Sequence, residues 1–287
     1  VYMAKHKDDS IYYRASLTYR NKHISLGSFD NAACAHEAYL LAGLLLSDAS
    51  VSLNSYQNDS VLPFSKWVSL LNFRDNGIYF ATPIYIRPKF FYYYFSPSDF
   101  FIFDTEDLFY YSSRKISRRG GHYFVADYGM QVNIMSRYGI KNYAVEGKDY
   151  RFINGNNQDM RYENIEIINR YNGVNAIEDN GKTRYQVRIH VKGNIHVGIY
   201  DTETEAAIAY NKAVDLLKKA GVNKTYTPNY MEGLSPAEYA DLNASIKVSS
   251  GVRHSRCEYP ITQIFRLASP LIPFSTPVVE YCHIAYR

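Results

Sequence analysis

The sequence predicts an α+β protein built from two small modules, each a three-stranded antiparallel sheet backed by one helix, arranged around a central domain. Three observations lead there. Residues 13–43 and 185–214 follow one repeated pattern. Inside each copy the apolar period switches from two to about 3.6, the change from strand to helix. The chain between the copies is dense in aromatic residues and ends in a turn-rich motif of its own.

In the first copy, YRASLTYRNKHISLGSFDNAACAHEAYLLAG, the residues Tyr13, Ala15, Leu17 and Tyr19 alternate with Arg14, Ser16, Thr18 and Arg20. That alternation describes a strand with one apolar and one polar face. Asn21-Lys22 is expected to turn the chain, with Ile24 and Leu26 returning along the apolar face. Asn31 is placed to cap a helix running to about Leu46.

The central segment, residues 61–172, begins with an aromatic run, FFYYYFSPSDFFIF, expected to form buried strands or a packing platform. A basic cluster follows: Arg114, Lys115, Arg118 and Arg119, closed by Gly120-Gly121. These four, with Arg161 further on, are candidate phosphate contacts; a solvated loop is the competing reading.

In the second copy, YQVRIHVKGNIHVGIYDTETEAAIAYNKAV, Tyr185, Val187, Ile189 and Val191 alternate with Arg184, Gln186, Arg188, His190 and Lys192. Gly193-Asn194 reads as a two-residue hairpin turn. Ile195 and Val197 return, with His196 outward. Thr202 with Glu205 forms a capping box. Ala206, Ala209, Tyr210 and Ala213 then make an apolar helical stripe that fades at Lys218-Lys219 and stops near Gly221. Gly27, Phe29 and Asp30 of the first copy align with Gly198, Tyr200 and Asp201. Its Ala35, Ala38, Tyr39 and Ala42 align with the stripe.

If the helix seals the apolar face, the polar face must meet water or a partner. In the second copy that face carries Arg184, Arg188 and Lys192, and no acidic residue lies between Lys182 and Gly198. A strand ribbon fits the major groove of B-form DNA. Outward arginines reach guanine edges there, and lysines near the turns hold phosphates. The expected DNA-binding residues are Arg14, Arg20, Lys22, Arg184, Arg188, His190 and Lys192. A solvated sheet face is the alternative for one copy alone; the recurrence of the arrangement favours DNA.

Both copies resemble the ethylene-response-factor (APETALA) type DNA-binding domain, on YRASLTYR or YQVRIHVKG, LGSF or VGIY, and the EAAIAY helix. The resemblance covers about 90 of 287 residues. It implies a sheet lying in the major groove, with Arg14, Arg20, Arg184, Arg188, His190 and Lys192 at the contacting positions. The family's sheet tryptophans are missing. The single tryptophan is Trp67, outside both copies, so the family's base code does not transfer.

YRFINGNNQDMRYENIEIINRYNGV, at residues 150–174, resembles the HNH endonuclease family, which implies a ββα-containing central domain. Ile153, Asn154, Gly155, Asn156, Asp159, Arg161 and Asn164 match its motif. The chemistry does not: Arg151 stands where the family has a metal-binding Asp, and Phe152 where it has the general-base His. Hydrolysis of a phosphodiester there needs a divalent metal and a base. Arg151 repels the one and Phe152 cannot be the other. Arg151, Phe152, Asp159 and Asn164 therefore read as a degenerate catalytic set. Asp149 and His122 are substitutes at the wrong spacing, and Asn154 and Asn164 are expected to hold the turn together.

These readings divide the chain at 1–60, 61–172, 173–228 and 229–287. The last part opens with a helix at Ser235-Pro236 running to about Ile246. Beyond Gly251, Pro260, Pro270, Pro273 and Pro277 break an apolar stretch into a loop-rich tail. The net charge of +4 is too small to decide a partner by itself. Cys34, Cys257 and Cys282 match no zinc spacing, and Cys34 reads as a small core residue. Abundant tyrosine, at 29 residues, points to an AT-rich bacterial or phage genome. There is no long apolar run and no charged-then-apolar leader, so no membrane partner is expected and the location is cytoplasmic, on the nucleoid.

The expected function is sequence-preferring binding of double-stranded DNA, without catalysis or cofactor, as a transcriptional regulator or mobile-element factor. The alternative is an HNH-type homing or nicking endonuclease using a divalent metal such as magnesium. A third reading is a protein-interaction role for the aromatic segment.

Overall fold

The computed structural model describes residues 1–253. Its described residues form an α+β chain in which the strands pair as four three-stranded antiparallel sheets and one two-stranded hairpin. Buried apolar side chains gather into three cores. No helix among these residues is long and apolar enough to cross a membrane.

The first core joins β1 (Tyr2–Lys5), β2 (Ile11–Tyr19), β3 (Lys22–Phe29), α1 (Ala32–Ser47) and α2 (Phe64–Asn76). Asn31 caps α1, its side chain accepting the Cys34 N–H at 2.8 Å. Ala35, Ala38 and Ala42 are fully buried; their small side chains let the helix sit close on the sheet. Cys34 is only partly buried, not the core residue expected. The expected boundary at residue 60 also falls inside a core, because Leu62, Trp67, Val68, Leu70 and Leu71 are packed in it. The reason lies in α1, which buries Leu45 and Leu46 besides its alanine stripe. One small sheet covers only one side of such a helix, and α2 packs against it as well.

The first hairpin turns at Arg20-Asn21, with φ of 45° and 61°, and not at Asn21-Lys22. A bulge decides this. Ala15 pairs with Gly27 but Ser16 pairs with Ser25, so Leu26 is the extra residue. The register moves by one, Tyr19 comes opposite Lys22, and two residues remain for the turn.

The second core holds β4 (Ile84–Ile86), β5 (Phe90–Tyr94), β6 (Phe100–Asp104), α3 (Leu108–Ser112), β7 (Ile116–Arg119), β8 (His122–Asp127), β9 (Met130–Asn133), β10 (Tyr150–Phe152) and β11 (Ile165–Ile167). The aromatic run forms buried strands. Phe91, Tyr93, Phe101 and Phe103 alternate inward, and Phe103 stacks on Tyr111 with ring centroids 4.3 Å apart. β10 and β11 pair as a hairpin. The helix of a ββα unit does not follow: residues 168–173 run without helix into the next strand. Ile168 and Asn169 donate their N–H groups to the Asp149 carbonyl at 2.8 and 3.0 Å, which ties this stretch back to the hairpin instead.

The third core joins β12 (Val174–Asp179), β13 (Lys182–His190), β14 (Asn194–Tyr200), α4 (Glu203–Lys219), α5 (Pro236–Ser245) and α6 (Ser250–Arg253). Thr202 and Glu205 cap α4 reciprocally, as do Ser235 and Glu238 for α5. The hairpin loop spans residues 191–193, so the two-residue turn at Gly193-Asn194 does not form. A bulge between Val187 and Arg188 sets that register. Met231, Ile246 and Val252 belong to this core, so the expected boundary at residue 228 does not separate a domain. Buried Asn211 and Asn229 exchange hydrogen bonds of 2.7 and 2.8 Å, pinning the chain after α4 to that helix. The proline-rich tail reading, with Cys257 and Cys282, lies outside the described residues.

Candidate nucleic-acid interface

The two bulges place the two sheets in structural correspondence. Ala15 faces Gly27 as Val187 faces Gly198, so Ser16 occupies the place of Arg188, and Tyr12 that of Arg184. At the hairpin tips Arg20 does occupy the place of Lys192, but Arg14 stands where the second sheet has Gln186, so the outward basic positions of the two sheets coincide only in part.

On the second sheet the strand register puts Asn175 and Ile177 of β12, Arg184, Gln186, Arg188 and His190 of β13, and Asn194, His196 and Ile199 of β14 on the side away from α4. Val187, Ile189 and Val197 face α4 and are buried. Arg188 and His196 are exposed cross-strand partners, with Lys192 exposed at the loop. The Arg188 side chain has no hydrogen-bond or ionic partner among the described residues. Arg184 differs: its guanidinium bonds Asp179 at 3.0 Å and Asp201 at 2.9 Å. Both acids lie just outside the window that looked free of negative charge. The His190 ring sits 3.1 Å from the Asn194 side-chain oxygen.

The first sheet carries Tyr2, Tyr12, Arg14, Ser16, Thr18 and His23 outward. Arg14 donates to the Tyr12 hydroxyl at 2.7 Å and lies over its ring. Arg20 and Lys22 turn toward the protein itself. Arg20 sits at the hairpin tip, 3.4 Å from the Phe73 carbonyl and over the Tyr19 ring, while Lys22 faces the Tyr79 ring. Both remain exposed, with Phe73 of α2 and Tyr79 just beyond it as their neighbours.

The central basic cluster also divides. Arg114 is held by Asp127 at 2.9 and 3.1 Å and stacks on Tyr110. Arg161 grips both Asp159 oxygens, at 2.9 and 2.7 Å, and reaches Glu163 at 2.9 Å. Neither is free for a phosphate. Lys115 and Arg119 are exposed, and Arg118 is 4.0 Å from Asp99.

The Asn-Gly-Asn motif is a self-satisfied turn. The Asn164 side chain accepts the Asn154 N–H at 2.8 Å and donates to the Asp159 and Asn156 carbonyls at 2.8 and 3.1 Å. Asp159 receives Asn154 Nδ2 at 3.0 Å besides Arg161. Arg151 pairs across the hairpin with Glu166 at 2.5 Å, and Phe152 is buried in the second core. Asp149 is buried against Lys141 at 2.9 Å, and His122 is exposed at the lip of a cleft. These residues do not fit a divalent ion. Its expected carboxylate is replaced by Arg151, and the oxygens of Asp149 and Asp159 already have partners. No three His, Cys, Asp or Glu side chains among the described residues stand together as a metal site.

Burial raises the Asp159 carboxyl, but hydrogen bonds from Arg161 and Asn154 outweigh burial and hold it below the ordinary range. Its stabilising contribution is thus present above the unfolded value of about 3.9 and is lost as pH falls through the folded value. Denaturant midpoints measured against pH should show this acid-side loss, and Asp159→Asn should flatten it. Asn164→Ala leaves buried carbonyls unpaired and is expected to cost about 2–3 kcal/mol in a urea titration.

Gln186, Asn175, Ile177, His196 and Ile199 complete the outward face. The alternation contained Gln186 and His196. Asn175, Ile177 and Ile199 are known as outward only from the strand pairing. No family model, curated protein or solved structure matches the chain.

Proposed function

We propose that this chain is a non-catalytic protein that binds double-stranded DNA in a sequence-preferring manner through the outward face of β12–β14. The observation that carries the reading is Arg188. It is exposed at the middle of a helix-backed sheet, without an internal partner, and beside His190, His196 and Lys192. A three-stranded sheet of this size fits the major groove. There Arg188 reads guanine, Gln186 suits adenine, and Ile177 and Ile199 offer apolar contact to thymine methyls. Arg184, clamped by Asp179 and Asp201, is a positioned group with part of its guanidinium left to contact DNA. The resemblance of both repeats to the ethylene-response-factor domain supports the same face.

In this reading the first module is chiefly structural, adding Arg14 and its tyrosines as a minor contact. The protein acts on the nucleoid as a regulator or mobile-element factor. Selection of bound sequences from a random duplex library tests the proposal. Enrichment of a motif supports it, and recovery of unselected sequence at every salt concentration defeats it.

The nuclease alternative requires a free carboxylate and a base in the Asn-Gly-Asn turn, where both Asp159 oxygens are engaged and Phe152 replaces the base. Supercoiled plasmid incubated with magnesium or manganese is expected to remain intact. Metal-dependent nicking abolished by both Asp159→Ala and Asn164→Ala would restore the nuclease reading.

A further inference from the structure

A cleft of about 460 Å³ opens between β8, β9 and the start of β10. The cleft mixes apolar and polar groups: Phe101, Tyr123, Ile134, Phe152 and Met160 line it together with polar side chains such as Asn133. Phe101 and Tyr123 meet edge to face with centroids 4.6 Å apart. Tyr123 is half-buried, and the Arg118 guanidinium lies over its ring 5.5 Å from the centroid, so a flat ligand meets the Arg118–Tyr123 pair. Phe152, which occupies the general-base position of the endonuclease motif, helps line this cleft.

The rim is polar. Glu146 and His122 are exposed and Gln158 is half-buried, and none of their side chains has a hydrogen-bond partner among the described residues. Arg118 and Asp99 also line it, 4.0 Å apart, so their charges largely offset. With Glu146 added, the rim is not positive, which disfavours a free anion. Aromatic faces below and acceptors above suit a flat, neutral heterocycle that presents N–H groups.

We propose that this cleft holds one unpaired nucleobase bearing an exocyclic amino group, stacked against Tyr123 and donating hydrogen bonds to Glu146 and Gln158. The proposal rests on the DNA-binding reading for the source of the base. A base extruded from a duplex enters the cleft while the sheet of the third core holds the flanking helix. An amino-bearing base gives the Glu146 carboxylate an N–H donor at the corner of its edge; thymine offers only its N3–H, flanked by two carbonyl oxygens that repel the carboxylate.

Affinity for three labelled duplexes tests this: intact, with one bulged cytosine, and with one bulged thymine. The bulged cytosine is expected to bind at least about tenfold more tightly than the intact duplex, and the bulged thymine no better than intact. Glu146→Gln and Tyr123→Leu should each erase that preference and leave intact-duplex affinity unchanged. Equal affinity for all three duplexes overturns the proposal, as does a cytosine preference that survives both substitutions. A second arm stands apart from duplex binding: free cytidine and thymidine are titrated against the full chain, and aromatic proton shifts are followed by NMR. If no duplex binds, the function reading fails while this titration still decides the cleft. Cytidine shifting the Tyr123 and Phe152 signals, and thymidine not, sustains the site; no shift from either removes it.

Discussion

Arg188→Ala is expected to reduce affinity for a selected duplex about ten- to hundredfold, the loss of one bidentate base contact of roughly 1–3 kcal/mol. The effect should be largest on the preferred sequence and small on random DNA, because in the proposed function Arg188 reads a base edge. Lys192→Ala should behave differently. It should weaken all duplexes alike and lower the slope of log affinity against log salt by about one. Arg20→Ala should change affinity little, because Arg20 lies against the Phe73 carbonyl and the Tyr19 ring. Anisotropy titrations at several salt concentrations measure all three. If Arg188→Ala leaves affinity and sequence preference intact, the outward face of β12–β14 is not the reading surface. If Arg20→Ala equals Arg188→Ala, the two modules are equivalent readers.

Gly173→Ala is expected to cost about 2–5 kcal/mol of stability. The backbone at Gly173 has φ +71°, a left-handed conformation that costs a residue with a side chain roughly 1–2 kcal/mol. Space is also lacking. A Cβ there would stand 2.5 Å from the Arg188 carbonyl oxygen and press into the Tyr210 ring. Overpacking of this kind adds about 1–3 kcal/mol. Gly173 also accepts the Arg188 N–H at 2.9 Å, so its displacement disturbs the bulge that presents Arg188. DNA affinity should fall together with stability. Gly181→Ala is the control. Its φ is +74° but a Cβ there meets open space, so only the conformational cost of about 1 kcal/mol remains. Urea denaturation separates the two. Equal small losses at both positions would show that residue 173 tolerates a side chain.

The helices of both repeats and the aromatic strands were legible because their signals are local. Asn31, Thr202 with Glu205, and Ser235 with Glu238 cap helices within three residues of themselves. The period of two through Tyr185, Val187 and Ile189 survives because one face is sealed by α4. The strands β1 (YMAK) and β12 (VNAIED) were not legible. β1 buries none of its residues and β12 only Val174, so neither carries a clear apolar alternation.

The site residues divide in the same way. That Arg188 points outward followed from alternation along its own strand. That Arg184 is clamped did not, because Asp179 and Asp201 reach it from β12 and from beyond β14. That exposed Arg20 and Lys22 meet the Phe73 carbonyl and the Tyr79 ring did not follow from the sequence, because those groups lie some fifty residues later. Arg114 looked like part of a basic patch until β8 delivered Asp127 to it.

By itself, the amino-acid order determined the repeated sheet-and-helix units and their capped helices. Tertiary structure alone decided which cations remain free, where the cores divide, and that the two sheets carry different faces. The reason is physical. Capping and alternation act through neighbours along the chain. Charge neutralisation and shared burial act through space, between segments whose meeting depends on bulges that shift register by a single residue.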